Sequence, residues 1–213
     1  MPNHVSHKII IRDIELSLFT DIIEKICSVG MDRDYSSKDD KFIPTVNVDF
    51  HKLVPEPIWI YRQNIGKEDE EDFGEFCGLN WSRKNWGTKW NAYSTKIDFD
   101  VTKKKDNPDD YRYLFIGDGV IEFDTAWSNP YPWIVAFANS FNIQFEYRYF
   151  DEGHNFWGTE QWKKGKRTSK DYKNPDNKRT LSLDLKGHYY NEDEGIEENV
   201  DENGVIVSTP IED

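Results

Sequence analysis

The chain has 213 residues, of which 37% are hydrophobic and 15% aromatic, with eight tryptophans, two cysteines and a formal net charge of −13. This composition is sufficient for one aromatic-rich core in a single main domain. No basic-then-apolar leader opens the chain and no apolar run approaches the roughly 18 residues of a membrane span, which argues against a secreted or membrane protein. A soluble, cytoplasmic protein without a membrane partner is expected.

The first elements predicted are a strand and a helix. Residues 8–12 form a short β-branched run, and Asp13 follows in the position of a helix N-cap. Apolar residues then recur at three- and four-residue spacing, and Gly30 stands where a left-handed C-terminal residue is typical, which predicts a helix over about 14–29. Residues 31–58 lose this periodicity and are punctuated by prolines, so they predict a long ordered loop within an insertion spanning 31–80.

The most unusual stretch is 81–93, which packs three tryptophans, a tyrosine, three cations and a glycine into thirteen residues. On a helical turn Trp86 and Trp90 share one face. The first interpretation is a structural plug that seals the core. The second is a binding pocket in which rings stack a planar ligand while cations contact its phosphate or carboxylate. The candidate ligand-binding residues are Arg83, Trp86, Lys89, Trp90 and Asn91, with Trp127 and Trp157 as an opposite wall.

Strands dominate the next part of the chain. Residues 93–101 alternate at period two, and the runs 111–116 and 120–127 flank Gly117-Asp118-Gly119 as a β-hairpin. Pro132 suits the first turn of a second helix, and another alternating strand follows over 143–150. This order predicts an α+β fold: a ferredoxin-like, split βαβ antiparallel sheet with helices on one face, plus long loops and extra strands.

Beyond this core, predicted to span 1–165, the chain changes character. Residues 163–179 hold eight bases against two acids, and Leu181, Leu183 and Leu185 alternate, so 166–190 is predicted to be a basic loop and a late strand. Residues 191–213 hold nine acids and no Lys or Arg. That composition predicts a solvated, mobile acidic tail, with a DNA-mimicking or partner-docking arm as the alternative. The tail could neutralise the basic loop in cis, which we favour over phosphate-backbone binding by that loop.

Neither catalysis nor metal binding has a convincing pattern. Acid–base candidates cluster only near predicted turns, where such residues are usually turn formers; they are Asp124, Asp151, Glu152 and His154. The remaining histidines lack metal-ligand spacing, and Cys27 and Cys77 are expected to be buried reduced thiols. We therefore assign no catalytic residue, no metal and no cofactor.

Four motifs give the chain a resemblance to a known family. They are Met1-Pro2-Asn3-His4-Val5, the string Asn85-Trp86-Gly87-Thr88-Lys89-Trp90-Asn91-Ala92, Thr125-Ala126-Trp127-Ser128 with Pro130, and Asp151-Glu152-Gly153-His154-Asn155-Phe156-Trp157-Gly158. With these the chain resembles the YubB-like (Api92-like) family of phage and plasmid proteins. The resemblance implies a ferredoxin-like domain carried on mobile elements and supplies no catalytic residues. The basic loop, late strand and acidic tail are expected to be additions outside the shared part.

Three classes of function follow as expectations. The leading hypothesis is a non-enzymatic accessory protein that inhibits a host defence system in the host cytoplasm, through an acidic surface or an aromatic ligand pocket. Its partner would be a host defence protein or a nucleotide-type small ligand. The second is a nucleic-acid- or nucleotide-binding module that uses the sheet and the basic loop. The third and least favoured is a small hydrolase, and the oligomeric state is left open.

Overall fold

A computed structural model describes residues 3–33, 42–62, 67–106, 113–191 and 195–210. Its elements in chain order are β1 (His4–Glu15), α1 (Leu16–Ile26), β2 (Cys27–Arg33), β3 (Phe42–Val48), a 3-10 turn (Phe50–Lys52), α2 (Lys67–Phe73), a second 3-10 turn (Gly74–Phe76), α3 (Gly78–Asn85), β4 (Tyr93–Asp106), β5 (Tyr113–Ala126), α4 (Tyr131–Ser140), β6 (Gln144–Asp151), β7 (Trp157–Lys163), β8 (Lys166–Tyr172), α5 (Pro175–Lys186), β9 (His188–Asn191), β10 (Ile196–Val200) and β11 (Ile206–Pro210). No helix among these residues is long and apolar enough to cross a membrane.

The main sheet has six antiparallel strands in the order β4-β5-β1-β6-β7-β8. β1 lies near the centre, where Ile9 is paired with Ile121 of β5 and with Tyr147 of β6. Two smaller antiparallel sheets are formed by β2-β3 and by β9-β10-β11. Helices and antiparallel strands thus combine as the predicted α+β class requires.

One face of the main sheet carries the hydrophobic core. Alternate residues of the central strands point to this face because successive side chains of a strand point to opposite sides. Helices α1 and α4 pack on it with their buried residues Phe19, Ile22, Ile26, Trp133, Ile134 and Phe137. Each fully buried large side chain contributes about 1.5–3 kcal/mol. The aromatic-rich core expected from composition is therefore present.

Helix α5 packs against the other face of the sheet, which the prediction of helices on one face did not include. Its Asp184 accepts hydrogen bonds from Lys8 Nζ at 2.6 Å and from Arg148 Nη1 at 2.9 Å. These two cations alternate along their strands with the core residues Ile9 and Tyr147. Burial opposes ionisation of Asp184, but the two hydrogen bonds outweigh it and hold its pKa below the ordinary value. The ion pairs fix α5 across the centre of the sheet.

The N-terminal third departs from the prediction in two places. The first helix ends at Ile26, not near residue 29, and Gly30 lies within β2. Residues 27–33 then pair with 42–48 as a two-stranded sheet, where the end of the helix and a loop were predicted. The buried pair Cys27 and Val48 anchors this sheet to the core, and such packing is invisible to local periodicity. Asp13 is not an N-cap, because β1 continues to Glu15.

The predicted basic loop and late strand are wrong. Residues 166–172 form the edge strand β8, and Leu181, Leu183 and Leu185 lie in α5. The helix begins where the Asn174 side chain caps the backbone N–H of Asp176 and ends at Gly187 in the left-handed conformation (φ 76°). Leucines two residues apart fit a strand, but Leu181 and Leu185 are also about one helical turn apart. The two caps favour the helix over the strand.

The acidic tail is not a loose segment over residues 195–210. Strands β10 and β11 pair with β9, and Glu198 accepts two hydrogen bonds from the Arg179 guanidinium, at 2.6 and 2.8 Å. The hydrogen bond from Arg179 is also the main reason why the pKa of Glu198 lies below its ordinary value. The expected pairing of the acidic tail with the basic region of the same chain is therefore present between Glu198 and Arg179. The other tail positions, 192–194 and 211–213, lie outside the described residues.

Candidate functional site: a tryptophan cleft

A cleft of about 630 Å³ opens beside α3 and brings together most of the predicted ligand-binding residues. Five of the seven line it, namely Arg83, Trp86, Lys89, Trp90 and Asn91. Its other walls come from the segment 51–62 and from α2. We call this space the tryptophan cleft.

The turn after α3 sets the shape of the cleft. The Ser82 hydroxyl, in the last turn of α3, lies 3.0 Å from the carbonyl oxygens of both Leu79 and Lys89, and the buried Thr88 hydroxyl donates to the Trp90 carbonyl at 2.5 Å. Gly87 adopts φ +89°, a conformation that glycine reaches at little cost. Short polar side chains thus hold residues 86–91 in a tight turn.

Trp86 belongs to the core as well as to the cleft. Only 4% of it is exposed, and its indole Nε1 donates to the Val54 carbonyl at 2.9 Å. Its ring lies edge to face with His51 and Trp81, at centroid distances of 4.6 and 5.3 Å. The structure places this side chain as the plug interpretation expects, with one edge on the cleft floor.

Trp90 and Asn91 differ in their exposure and in their hydrogen bonds. Trp90 is 46% exposed, and Lys89 Nζ lies 5.1 Å from the centroid of its ring. The Asn91 side chain accepts from the backbone N–H groups of Phe50 and Ala92 and donates to Asp49 Oδ1 at 2.8 Å. Asn91 therefore joins the cleft wall to the neighbouring segment, whereas Trp90 and Lys89 present a ring and a charge.

The electrostatics of the cleft are mixed. The guanidinium groups of Arg62 and Arg83 are half-exposed; Arg62 is paired with Glu56, and Arg83 lies 3.9 Å from Glu70. Burial raises the pKa of Glu56, although Arg62 opposes the rise, and burial also lowers the pKa of His51. In the described part of the chain no carboxylate lies within 4 Å of Lys89 Nζ. Lys89 is therefore the cation best placed to meet an anionic ligand.

The residues that sequence reasoning missed are His51, Glu56, Arg62 and Glu70. They reach the cleft from segments that precede α3, and only the prolines on either side of Glu56 mark one of them in the sequence. Charged residues in a polar loop are normally solvated, so their type alone does not indicate a site.

Trp127 and Trp157 do not line the cleft, so the predicted opposite wall is wrong. Trp127 follows β5, half-exposed, with its backbone N–H bonded to the Asn3 carbonyl at 2.8 Å. Trp157 begins β7 and donates its Nε1 to the Asn174 carbonyl at 2.9 Å. Both were placed correctly at strand ends, but sequence position could not reveal which side of the sheet those ends face.

The acidic candidates near turns have structural partners. Asp124 accepts from the Ser6 hydroxyl at 2.5 Å, and the buried Asp151 accepts from both nitrogens of Asn155, at 2.8 and 2.9 Å. Glu152 accepts from the His4 backbone N–H at 2.8 Å. Within the described ranges no group of three or more His, Cys, Asp or Glu could hold a metal ion.

A buried histidine connects the sheet to the cleft. His7 Nε2 lies 2.7 Å from the Thr125 hydroxyl, which donates to the Ser128 carbonyl at 2.7 Å. The Ser128 hydroxyl in turn donates to the Gly87 carbonyl at 2.7 Å. Burial, followed by the charge of Lys186, lowers the pKa of His7 well below its ordinary 6.5. The neutral imidazole is thus part of what holds the turn at Gly87.

We expect acidification to destabilise the protein through His7. Below about pH 6.5 the unfolded chain binds a proton on this residue and the folded chain does not, so stability is lost as the pH falls. The loss approaches about 1.4 kcal/mol per pH unit, or about 2 kcal/mol between pH 6.5 and 5. Urea unfolding at several pH values measures it. His7→Gln should flatten the dependence and His188→Gln should keep it; parallel pH profiles for the wild type and His7→Gln would contradict this assignment.

Comparison with known proteins identifies the family. A family model described as the ferredoxin-like domain in Api92-like protein matches residues 89–201, more than half of the chain. No curated protein and no solved structure matches. The match includes β8, α5 and β10, which corrects the expectation that residues beyond 165 are additions outside the shared part. The chain therefore belongs to the Api92-like family and carries its ferredoxin-like domain.

Proposed function

We propose that the protein is a non-enzymatic binding protein whose tryptophan cleft takes up a nucleotide-type small ligand. One observation carries the proposal: the half-exposed Trp90 ring and the Lys89 ammonium lie together on the wall of a cleft of about 630 Å³. That volume is within the range of about 300–1,000 Å³ typical of small-molecule sites. A base would stack on Trp90, and its phosphate would contact Lys89.

The remaining cleft residues support binding more than catalysis. Arg62 and Arg83 also line the cleft, paired with Glu56 and Glu70, and would supply two further donors for a phosphate. The Ser82 hydroxyl is occupied by backbone carbonyls and is not positioned as a nucleophile.

For the fold we propose that β1, α1, β4, β5, α4 and β6 form a split βαβ core. The strand order β4-β5-β1-β6 supports this, because β1 lies between the two strands that α4 connects. The common core face of α1 and α4 also supports it. On this plan β7, β8 and α5 extend the core at one edge and cover its other face.

For the biological role we propose inhibition of a host defence system in the host cytoplasm, by sequestering such a ligand or by presenting an acidic surface to a defence protein. Membership of the Api92-like family and the net charge of −13 support it. Capture of a defence complex from host lysate by the full chain tests the role separately from ligand binding.

Thermal unfolding with a panel of adenosine and guanosine mono-, di- and triphosphates tests the cleft. A ligand at about one hundred times its dissociation constant should stabilise the fold by about 2.7 kcal/mol, a rise of about 5–10 °C in Tm for a chain of this size. Lys89→Gln and Trp90→Ala should weaken binding by about ten-fold or more. Lys84→Gln, on the preceding helix α3 but outside the cleft and paired with Glu75, is the matched control. No shift with any nucleotide, or an equal shift in Trp90→Ala, would sink the proposal.

A further inference from the structure

The second aromatic and cationic surface of the protein lies at β8, far along the chain from the tryptophan cleft. Residues 160–173 hold six bases and two acids, a local charge of +4 in a chain of net charge −13. β8 is an edge strand of the main sheet, and almost all of its residues are exposed. A cationic edge in an acidic protein requires an explanation.

The side chains of this edge form a row. Arg167, Lys170 and Tyr172 lie opposite Trp162, Glu160 and Gly158 of β7, so all three point to the same face. Arg167 Cζ lies 5.4 Å from the ring centroid of Tyr131, and Lys170 Nζ lies 4.6 Å from that of Tyr172. The order along the edge is ring, cation, cation, ring, with Tyr131 38% and Tyr172 51% exposed.

The row is held from below by one buried carboxylate. Glu160 is 1% exposed and lies 3.1 Å from Arg167 Nη1 and 4.0 Å from Lys170 Nζ. It also accepts a hydrogen bond from Trp162 Nε1. This arrangement positions the two cations, while Lys173, at 5.8 Å from the Tyr172 ring, continues the charge along the surface.

The described part of the acidic tail, residues 195–210, does not pair with this row. Its pairing with the basic region is made by Glu198 on Arg179 of α5. In the described part of the tail, residues 195–210, no carboxylate lies within 4 Å of a cation of β8. Over residues 195–210 the cis-masking expected from the sequence therefore does not extend to the edge strand.

We propose that the row Tyr131, Arg167, Lys170 and Tyr172 is a binding site for single-stranded nucleic acid. Bases stack on the two exposed rings, and phosphates contact the cations without reading sequence. The site is an open edge, not a pocket, which suits an extended strand. It is distinct from the tryptophan cleft, so either can fail without the other.

Fluorescence anisotropy of a labelled oligothymidylate of about 15 nucleotides, with the full chain, tests this site. We expect binding at 50 mM salt that weakens about 20-fold by 200 mM, as about three phosphate contacts imply. Lys170→Gln and Tyr172→Ala should each weaken binding by at least about five-fold, the latter through loss of a base stack.

The matched control is another exposed cation and ring, toward the opposite side of the sheet. Lys104 Nζ lies 3.5 Å from the ring centroid of Tyr113, which is 52% exposed, on the hairpin of β4 and β5. Lys104→Gln with Tyr113→Ala removes the same charge and ring as Lys170→Gln with Tyr172→Ala and should not change binding. The proposal is overturned if wild-type protein does not bind at 50 mM salt, if both double variants lose affinity equally, or if Tyr172→Ala binds as the wild type does.

Discussion

We expect Trp86→Ala to lower the free energy of unfolding by about 3–5 kcal/mol, the range for truncating a large buried ring. Trp86 is almost fully buried among Phe50, His51 and Trp81, and the Val54 carbonyl would lose its indole partner. Because domains are stable by only about 5–15 kcal/mol, much of the variant could be unfolded at 37 °C. Urea unfolding measures the change.

Trp90→Ala is the control for that experiment, because it removes the same side chain from a half-exposed position in the same turn. We expect it to cost less than about 1 kcal/mol, as substitutions away from the core usually do. The pair separates the two interpretations of the stretch: Trp86 acts mainly as the plug, and Trp90 as the exposed ring for a ligand. Equal destabilisation by the two variants would contradict this division.

Gly87→Ala should lower the free energy of unfolding by about 2–5 kcal/mol, through backbone strain and steric overlap. The left-handed backbone at φ +89° costs an alanine about 1–2 kcal/mol. A Cβ atom would also lie 2.6 Å from Pro132 Cδ and 2.9 Å from the Asn129 carbonyl oxygen, and relieving that overlap adds about 1–3 kcal/mol. The turn that carries Lys89 and Trp90 would have to move away from α4.

Gly187→Ala is the matched control for the backbone part of this effect. Gly187 has φ +76° at the end of α5, but nothing lies within 4 Å of a Cβ there. We expect a loss of about 1–2 kcal/mol from the backbone alone. Chemical denaturation of both variants gives the difference between their losses in free energy of unfolding. That difference measures the steric overlap of the Gly87 turn with residues 129–132. A difference near zero would show that the turn moves freely.

The predictable parts of the fold are those coded by local pattern. The period-two alternation of 93–101 and the four-residue repeat after Pro132 became β4 and α4 because each buries the face that the pattern marks. The leucines of α5 were predicted to form a strand because their spacing fits both a strand and a helix. The residues that favour the helix are the two caps, Asn174 and Gly187, and each is a single residue that is easily overlooked. The β2-β3 sheet depends on the packing of Cys27 and Val48, which lie too far apart in the sequence for a local pattern to reveal their pairing.

Local sequence pattern also predicted the part of the cleft that comes from one stretch of the chain. Arg83, Trp86, Lys89 and Trp90 are neighbours in sequence, so their convergence needed only one turn. Asn91 was expected to bind and instead secures the wall, since its partners Asp49 and Phe50 come from another segment. Glu56, Arg62 and Glu70 could not be foreseen because they come from segments that precede α3 and meet it only in the folded chain.

The family model covers only part of the tryptophan cleft. Lys89, Trp90 and Asn91 lie inside the segment that the family model matches, whereas the floor and far wall, residues 51–86, precede it. The six-stranded sheet draws only β1 from outside that segment. We therefore expect substitution of the half-exposed cleft residues that precede the matched segment, such as Arg62 and Arg83, to alter the cleft lining while the sheet that supports it stays the same.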